Sequence, residues 1–314
     1  MKKSNISGSA WEGGRRRNRY GRYTWGMKPS IFTDEIHRED FARAVLLAEQ
    51  WGVEAVEIRS LPGGRYPRST DDQLRHVGRI VADAGRTVSG VSPGLFKCAI
   101  GDSEVEAGIT EWLPRACTWA REWGTQLVSI FGCHRGDEPH GSAGFPAQVV
   151  DLLGRMCDVA GASGCRLALE NEAVCWGDTG TEAALLIAAV GSDRLSLCWD
   201  PGNAARAGVL AAQQEYEGLA DLVAHVHLKN FDPVVDDWSL MDGGCVDWPS
   251  QMQALAEHDY PGYLVIETHT QTQTQTQIRP RPVGNTLSRG RGAPLSPLEA
   301  NTLHNLQYLH FLLG

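Results

Sequence analysis

Residues 166–203 read RLALENEAVCWGDTGTEAALLIAAVGSDRLSLCWDPGN, and this stretch decides the fold. An apolar strand, LALENE, ends in the carboxylates Glu170 and Glu172, a helical segment follows, and a second apolar strand, LSLCWD, ends in Asp200. The pattern is one β-α-β unit with acid at both strand ends. A right-handed crossover between parallel strands brings their carboxyl ends to the same edge of the sheet, where reactive groups collect. Two later runs end in the same way: VAHVHLKN carries His225 and His227, and YLVIETH carries Glu267 and His269. Four strands thus deliver Glu, Asp, His and Glu to one rim, the composition of a divalent metal site.

Outward from this unit, short apolar runs alternate with amphipathic segments. The strand candidates are PSIFTDEI (29–36), AVEIRS (55–60), TVSGVSP (87–93), LVSIFG (127–132), LALENE (167–172), LSLCWD (195–200), VAHVHLKN (223–230) and YLVIETH (263–269). The spacing predicts helices over 38–51, 71–84, 104–124, 146–163, 181–192, 212–221, 249–258 and 296–312, the last entered through Ser296 as N-cap and Pro297 as first helical residue. Eight strands, each followed by a helix within about 285 residues, match a (β/α)8 barrel in number, order and size. An open doubly wound sheet is the runner-up, but it normally uses fewer strands and often a glycine-rich turn after the first, where this chain has FTDEIHRED.

The expected architecture is α/β, a single-domain TIM barrel over residues 27–314 with long βα loops. Loops 61–70, 94–104, 133–146 and 231–249 follow strands two, three, four and seven and sit on the catalytic face. Residues 1–26, rich in Gly, Arg and Ser, are expected to form a flexible extension. The segment 270–295, TQTQTQTQIRPRPVGNTLSRGRGAPL, alternates polar residues that can bury nothing and is expected to be a mobile loop.

Lys and Arg number 29 against 38 Asp and Glu, a net charge of −9, so the overall field disfavours nucleic acid and anionic membrane. No apolar run approaches the roughly 18 residues that span a bilayer, and the amino terminus lacks a signal-peptide apolar segment. The eight cysteines form no CxxC pair and mostly lie in apolar patterns, which suggests reduced thiols and a cytoplasmic protein.

ALENE, CWDPGN, HVHLKN and VIETH, together with TDEI, VEIR and SPGLFK upstream, resemble the sugar-phosphate isomerase/epimerase superfamily. These xylose-isomerase-like barrels include ketose 3-epimerases, hydroxypyruvate isomerases, inosose dehydratases and C-glycoside deglycosidase catalytic subunits. The resemblance runs from about Lys28 to the carboxyl terminus. It implies a metal held by Glu170, Asp200, His227 and Glu267, each the last inward polar group of an apolar strand. Three carboxylates and one imidazole suit one divalent ion, Mn²⁺ first, with Mg²⁺, Co²⁺ or Zn²⁺ as alternatives. In HVH, one histidine is expected inside the barrel and one toward the helices, with His227, nearer the strand end, as the ligand.

By the resemblance, a metal-dependent isomerase or epimerase removes a carbon-bound proton from a sugar, keto-sugar or polyol through a metal-stabilised enediolate, with Glu170 and Glu267 serving opposite substrate faces. A lyase, either a dehydratase or a C-glycoside deglycosidase acting on a 3-keto glycoside, is the alternative. A phosphodiester hydrolase is a poorer fit, because it needs further rim histidines and a basic groove. Many family epimerases carry a histidine three residues after the metal Asp, where this chain has Asn203, which cannot shuttle a proton at neutral pH. Replacement candidates are His134, Lys97 and Lys229, of which Lys229, two residues after His227, is preferred as a catalytic group. Glu172, Asn203, Arg59, His134, Lys97 and Trp176 are the candidate substrate-binding residues, with Arg135, Trp238 and Trp248 at the same rim. Expected partners are a small sugar or glycoside and, from the family, a homo-oligomer or small accessory subunit, with no nucleic acid and no membrane.

Overall fold

The computed structural model describes residues 26–138, 144–270 and 294–314, together with the backbone of Arg16–Arg17 and Tyr23–Thr24, which pair antiparallel. Eight parallel strands close a barrel in chain order: β1 (Lys28–Phe32), β2 (Ala55–Ile58), β3 (Thr87–Val91), β4 (Leu127–Ile130), β5 (Arg166–Glu170), β6 (Leu195–Trp199), β7 (Val223–Leu228) and β8 (Tyr263–Ile266). Closure comes from β8 against β1, with Tyr263 opposite Lys28 and Ile266 opposite Ile31. Among the described residues no helix is long and apolar enough to cross a membrane.

Each strand is a short apolar run whose alternate side chains face the helices. Ile31, Val56 and Leu169 are fully buried and belong to the same core as Ala44 of helix Phe41–Gln50, Leu74 of Asp71–Asp83, Met156 of Ala147–Ala162 and Leu255 of Trp248–Glu257. Burying one such Leu or Ile stabilises the fold by about 1.5–3 kcal/mol, so this layer carries the barrel. The opposite faces of β1 to β4 carry polar groups, Ser30, Glu57, Ser89 and Ser129. Ser30 and Ser89 hydroxyls lie 2.8 Å apart, Ser92 and Ser129 2.5 Å apart, and Ser92 Oγ donates to Glu57 Oε1 at 2.7 Å.

The final helix, Pro297–Leu313, starts with the expected Ser296 cap, reinforced by a capping box with Glu299. It fastens the site side of β1 and β8: Thr302 Oγ1 donates to Glu35 O at 2.6 Å, and Thr268 and Thr302 hydroxyls are 2.8 Å apart.

Several expectations are corrected. His225 and His227 both face the barrel interior, their rings 5.3 Å apart, because residues two apart on a strand share a face. TDEI does not continue β1 but forms one helical turn, Thr33–Ile36. That turn lets the adjacent Asp34 and Glu35 both reach Arg59, which a strand would prevent. The helix over 104–124 is interrupted by a π turn, Gly108–Trp112, just before Pro114, which has no N–H to give. A helix not foreseen, Pro201–Arg206, follows β6; Asp200 caps it and Pro201 occupies its first turn. Except for the two backbone pairs and Gly26, residues 1–26 lie outside the described residues, as does nearly all of 270–295.

Candidate metal centre

Four strand ends converge at the carboxyl-terminal mouth of the barrel. Glu170 closes β5, Asp200 follows β6, His227 lies near the end of β7, and Glu267 follows β8. Each offers a ligand atom, and all four atoms lie within 4.8 Å of one another among buried side chains. A cation about 2.0–2.3 Å from each donor requires such separations. Asp200 Oδ1 accepts from Asn203 N at 2.9 Å, while both His227 ring nitrogens are buried without a hydrogen-bond partner among the described residues. His227 Nδ1 lies 3.3 Å from Glu170 Oε1 and Nε2 3.4 Å from Glu57 Oε1, in geometry that makes neither a hydrogen bond. Orphaned donors cost free energy unless something binds them, so a divalent ion fits the residues present.

Lys229 brings a cation into the same space. Its Nζ is 2.9 Å from both Asp200 Oδ2 and Glu267 Oε2 and 3.8 Å from Glu170 Oε1. Burial disfavours the ammonium, but Asp200, Glu267 and Glu170 outweigh it and hold the Lys229 pKa well above its usual value. Burial likewise pushes the Glu267 carboxyl up, yet Lys229, His269 and Arg59 hold it well below the usual range. Asp200 goes the other way: burial, reinforced by Glu170 and Glu267 against the attraction of Lys229, raises it to about 7.

Beneath this cluster sits Glu57, fully buried at a register shift between β2 and β3. Its Oε2 is 2.5 Å from His225 Nε2, and Oε1 accepts from Ser92. Glu57 lies within VEIR and is a site residue that the strand-end pattern does not pick out. A charged residue in an otherwise apolar strand, at an inward position, is the signal that marks it.

Above the cluster opens a cavity of ≈ 130 Å³ whose walls include Arg59, Arg65, Lys97, Glu172, Arg206 and Trp238. Arg59 is engaged by Asp34, Glu35 and Glu267, and its guanidinium lies 4.5 Å from the Phe32 ring centroid. Lys97 donates to Glu172 Oε2 at 2.6 Å. Asn203 is buried below, where its Nδ2 donates to Glu170 Oε1 at 3.2 Å. His134 is exposed, with its backbone bonded to Cys98, and Trp176 is buried under the Arg135 guanidinium; neither lines the cavity. Arg135 pairs with Asp178 and Glu182, away from it. Trp238 stacks on His269, with Lys229 Nζ 4.8 Å and Arg206 5.3 Å from its ring centroid, while Trp248 is fully buried.

The family model of the xylose isomerase-like TIM barrel matches residues 45–286. No curated protein sequence matches the chain. Among solved structures, D-allulose 3-epimerase from Methylomonas sp., in complex with D-allulose, is 18% identical with a TM-score of 0.66, covering 91% of this chain and 96% of that one. The probable 3-DHS dehydratase of petrobactin synthesis from Bacillus anthracis is 16% identical with a TM-score of 0.61, covering 77% and 92%. A xylose isomerase-like TIM barrel protein from Mycobacterium smegmatis in complex with magnesium is 18% identical with a TM-score of 0.62, covering 93% and 98%. At these identities the likeness is one of fold.

Proposed function

Because the chain belongs to the xylose isomerase-like TIM-barrel family, we propose that it is a divalent-metal-dependent isomerase or epimerase of a sugar, keto-sugar or polyol derivative. The observation that carries this reading is the convergence of Glu170, Asp200, His227 and Glu267 within 4.8 Å, with both His227 ring nitrogens left unbonded. Mn²⁺ is the preferred ion, with Mg²⁺ next given the magnesium complex on the same fold. When bound, the ion supplies Lewis-acid polarisation of a carbonyl and its neighbouring hydroxyl.

The chain's own residues supply the proton chemistry. Glu267 reaches the cavity from β8 and Glu170 from β5, so carboxylates on separated walls can serve two faces of one substrate carbon. Glu267 Oε1 is oriented by Arg59 and His269, and Glu170 Oε1 by Asn203, which fixes the direction each carboxylate presents. Lys229, kept charged by its carboxylate neighbours, donates to the substrate oxygen where negative charge develops. Trp238 and Phe131 supply aromatic surface on the cavity wall.

A lyase on this scaffold is the second reading, favoured by Asn203. With its amide bound to Glu170, the position three residues after Asp200 steadies a carboxylate and shuttles no proton. Incubation of the Mn²⁺-loaded enzyme with keto-sugars in deuterated water tests both. Deuterium in recovered sugar supports the epimerase, an unsaturated or free aglycone product supports the lyase, and neither product with any sugar or glycoside overturns the proposal.

A further inference from the structure

The cations around the cavity are not equally matched. Arg59 meets three carboxylates, Lys97 meets Glu172, Lys229 meets Asp200 and Glu267, and His269 Nε2 lies 2.8 Å from Glu267 Oε1. Among the described residues, no carboxylate lies within ion-pair reach of Arg65 or Arg206. Arg206 is exposed and rests on Trp238. Arg65 is half-buried at the end of the short ribbon after β2, and its Nη1 makes one long hydrogen bond, 3.4 Å, to Ser92 O.

The place of Arg65 is built into the backbone. Gly94 has φ +72°, and a Cβ there would lie 2.8 Å from Arg65 Nε and 2.9 Å from Cζ. The guanidinium therefore packs against a glycine that no larger residue could replace without moving it. Burial first, and the Arg59 charge second, lower the Arg65 pKa against the attraction of Asp34, Glu267 and Glu170, none of which is within ion-pair reach of it. An unpaired guanidinium held at a cavity wall is matched when a ligand brings the anion, and its fork suits carboxylate or phosphate oxygens.

We propose that Arg65 binds an anionic group, a carboxylate or a phosphate ester, so that this cavity takes an acidic sugar derivative in preference to a neutral sugar. The inference rests on the cavity being the sugar site of the preceding section. Arg65 follows β2 and Arg206 follows β6, four strands apart around the ring, so a small anion bound by Arg65 does not need Arg206.

Calorimetric titration of the Mn²⁺-loaded full chain tests this with D-fructose and D-allulose, each as the neutral sugar, the 6-phosphate and the 6-carboxylate. One charged form is expected to bind about tenfold or more tightly than its neutral parent, and the form that gains identifies phosphate or carboxylate. Arg65→Met is expected to bring the charged form down to the neutral level with Mn²⁺ affinity unchanged. Equal affinity for neutral and charged forms, or a preference that survives Arg65→Met, overturns the inference while leaving the sugar-site reading intact. Failure of every sugar to bind overturns both. Should Arg65→Met not fold, Arg65→Gln takes its place in the same comparison.

Discussion

Glu57 Oε2 and His225 Nε2 are 2.5 Å apart inside the barrel, and the other oxygen of the same carboxylate points toward His227 at 3.4 Å. Burial pushes the Glu57 carboxyl up, but His225 and His227 together hold it far below the usual range. One ionised carboxylate thus bonds the His225 imidazole and faces that of His227 at ion-pair distance, the place of an outer partner to a metal-binding histidine. Glu57→Gln, which keeps the shape and removes the charge, is expected to weaken Mn²⁺ binding by about 10–100-fold. Calorimetry with a circular-dichroism check of folding would measure this, and unchanged affinity would remove Glu57 from the metal centre.

A site whose donors are left unbonded should be stabilised by its ion. Mn²⁺ at about a hundred times its Kd is expected to contribute about 2.7 kcal/mol and raise Tm by about 4 °C, an effect reversed by a chelator. Asp200→Asn should remove most of the shift, since Asp200 is one of the three carboxylates of the four-residue cluster. Identical melting curves with Mn²⁺ and with chelator would count against a metal here.

Lys229 and a bound ion draw on the same carboxylates, Asp200 and Glu267. Lys229→Met removes the competing charge, so Mn²⁺ should bind about tenfold more tightly. Turnover should nonetheless fall by about a hundredfold or more, because the donor to the developing negative charge is gone. A variant that binds Mn²⁺ less well would show that the ammonium holds the ligands in place.

Glu299, buried at the start of the last helix, pairs with Arg43 and closes the capping box with Ser296. Burial raises its carboxyl, but the Arg43 hydrogen bond and the Ser296 backbone outweigh that and place it below its ordinary 4.5. A lowered folded pKa stabilises fully above 4.5, and the contribution is lost as pH falls through the folded value. Glu299→Gln is expected to cost about 1–2 kcal/mol at pH 7, with the difference from wild type shrinking below pH 4.5. Urea unfolding at pH 7 and at pH 3.5 would show it, and a difference independent of pH would exclude the ionised pair as its source.

Gly132→Ala should destabilise the loop after β4 by about 1–3 kcal/mol, because a Cβ there would lie 2.1 Å from the carbonyl oxygen of Trp176. Thermal denaturation would register this, and a Tm equal to wild type would show that the loop gives way freely.

The barrel and the four strand-end residues were legible in the chain itself. Apolar runs such as LALE and YLVI, the cap at Ser296, and an acid or histidine at the ends of the last four strands are local features, and parallel order then sends the strand ends to one rim. What only the folded ring decided is which distant side chains meet. Glu57 and His225 are 168 residues apart, and Arg59 and Glu267 are 208. Period two puts His225 and His227 on one face, yet only closure of β8 on β1 and the shift in β2 place a carboxylate against both. The isolated Arg65 likewise becomes visible only when the other cations have found their carboxylates, because pairing is a property of space, and a linear string of charges carries no distances between them.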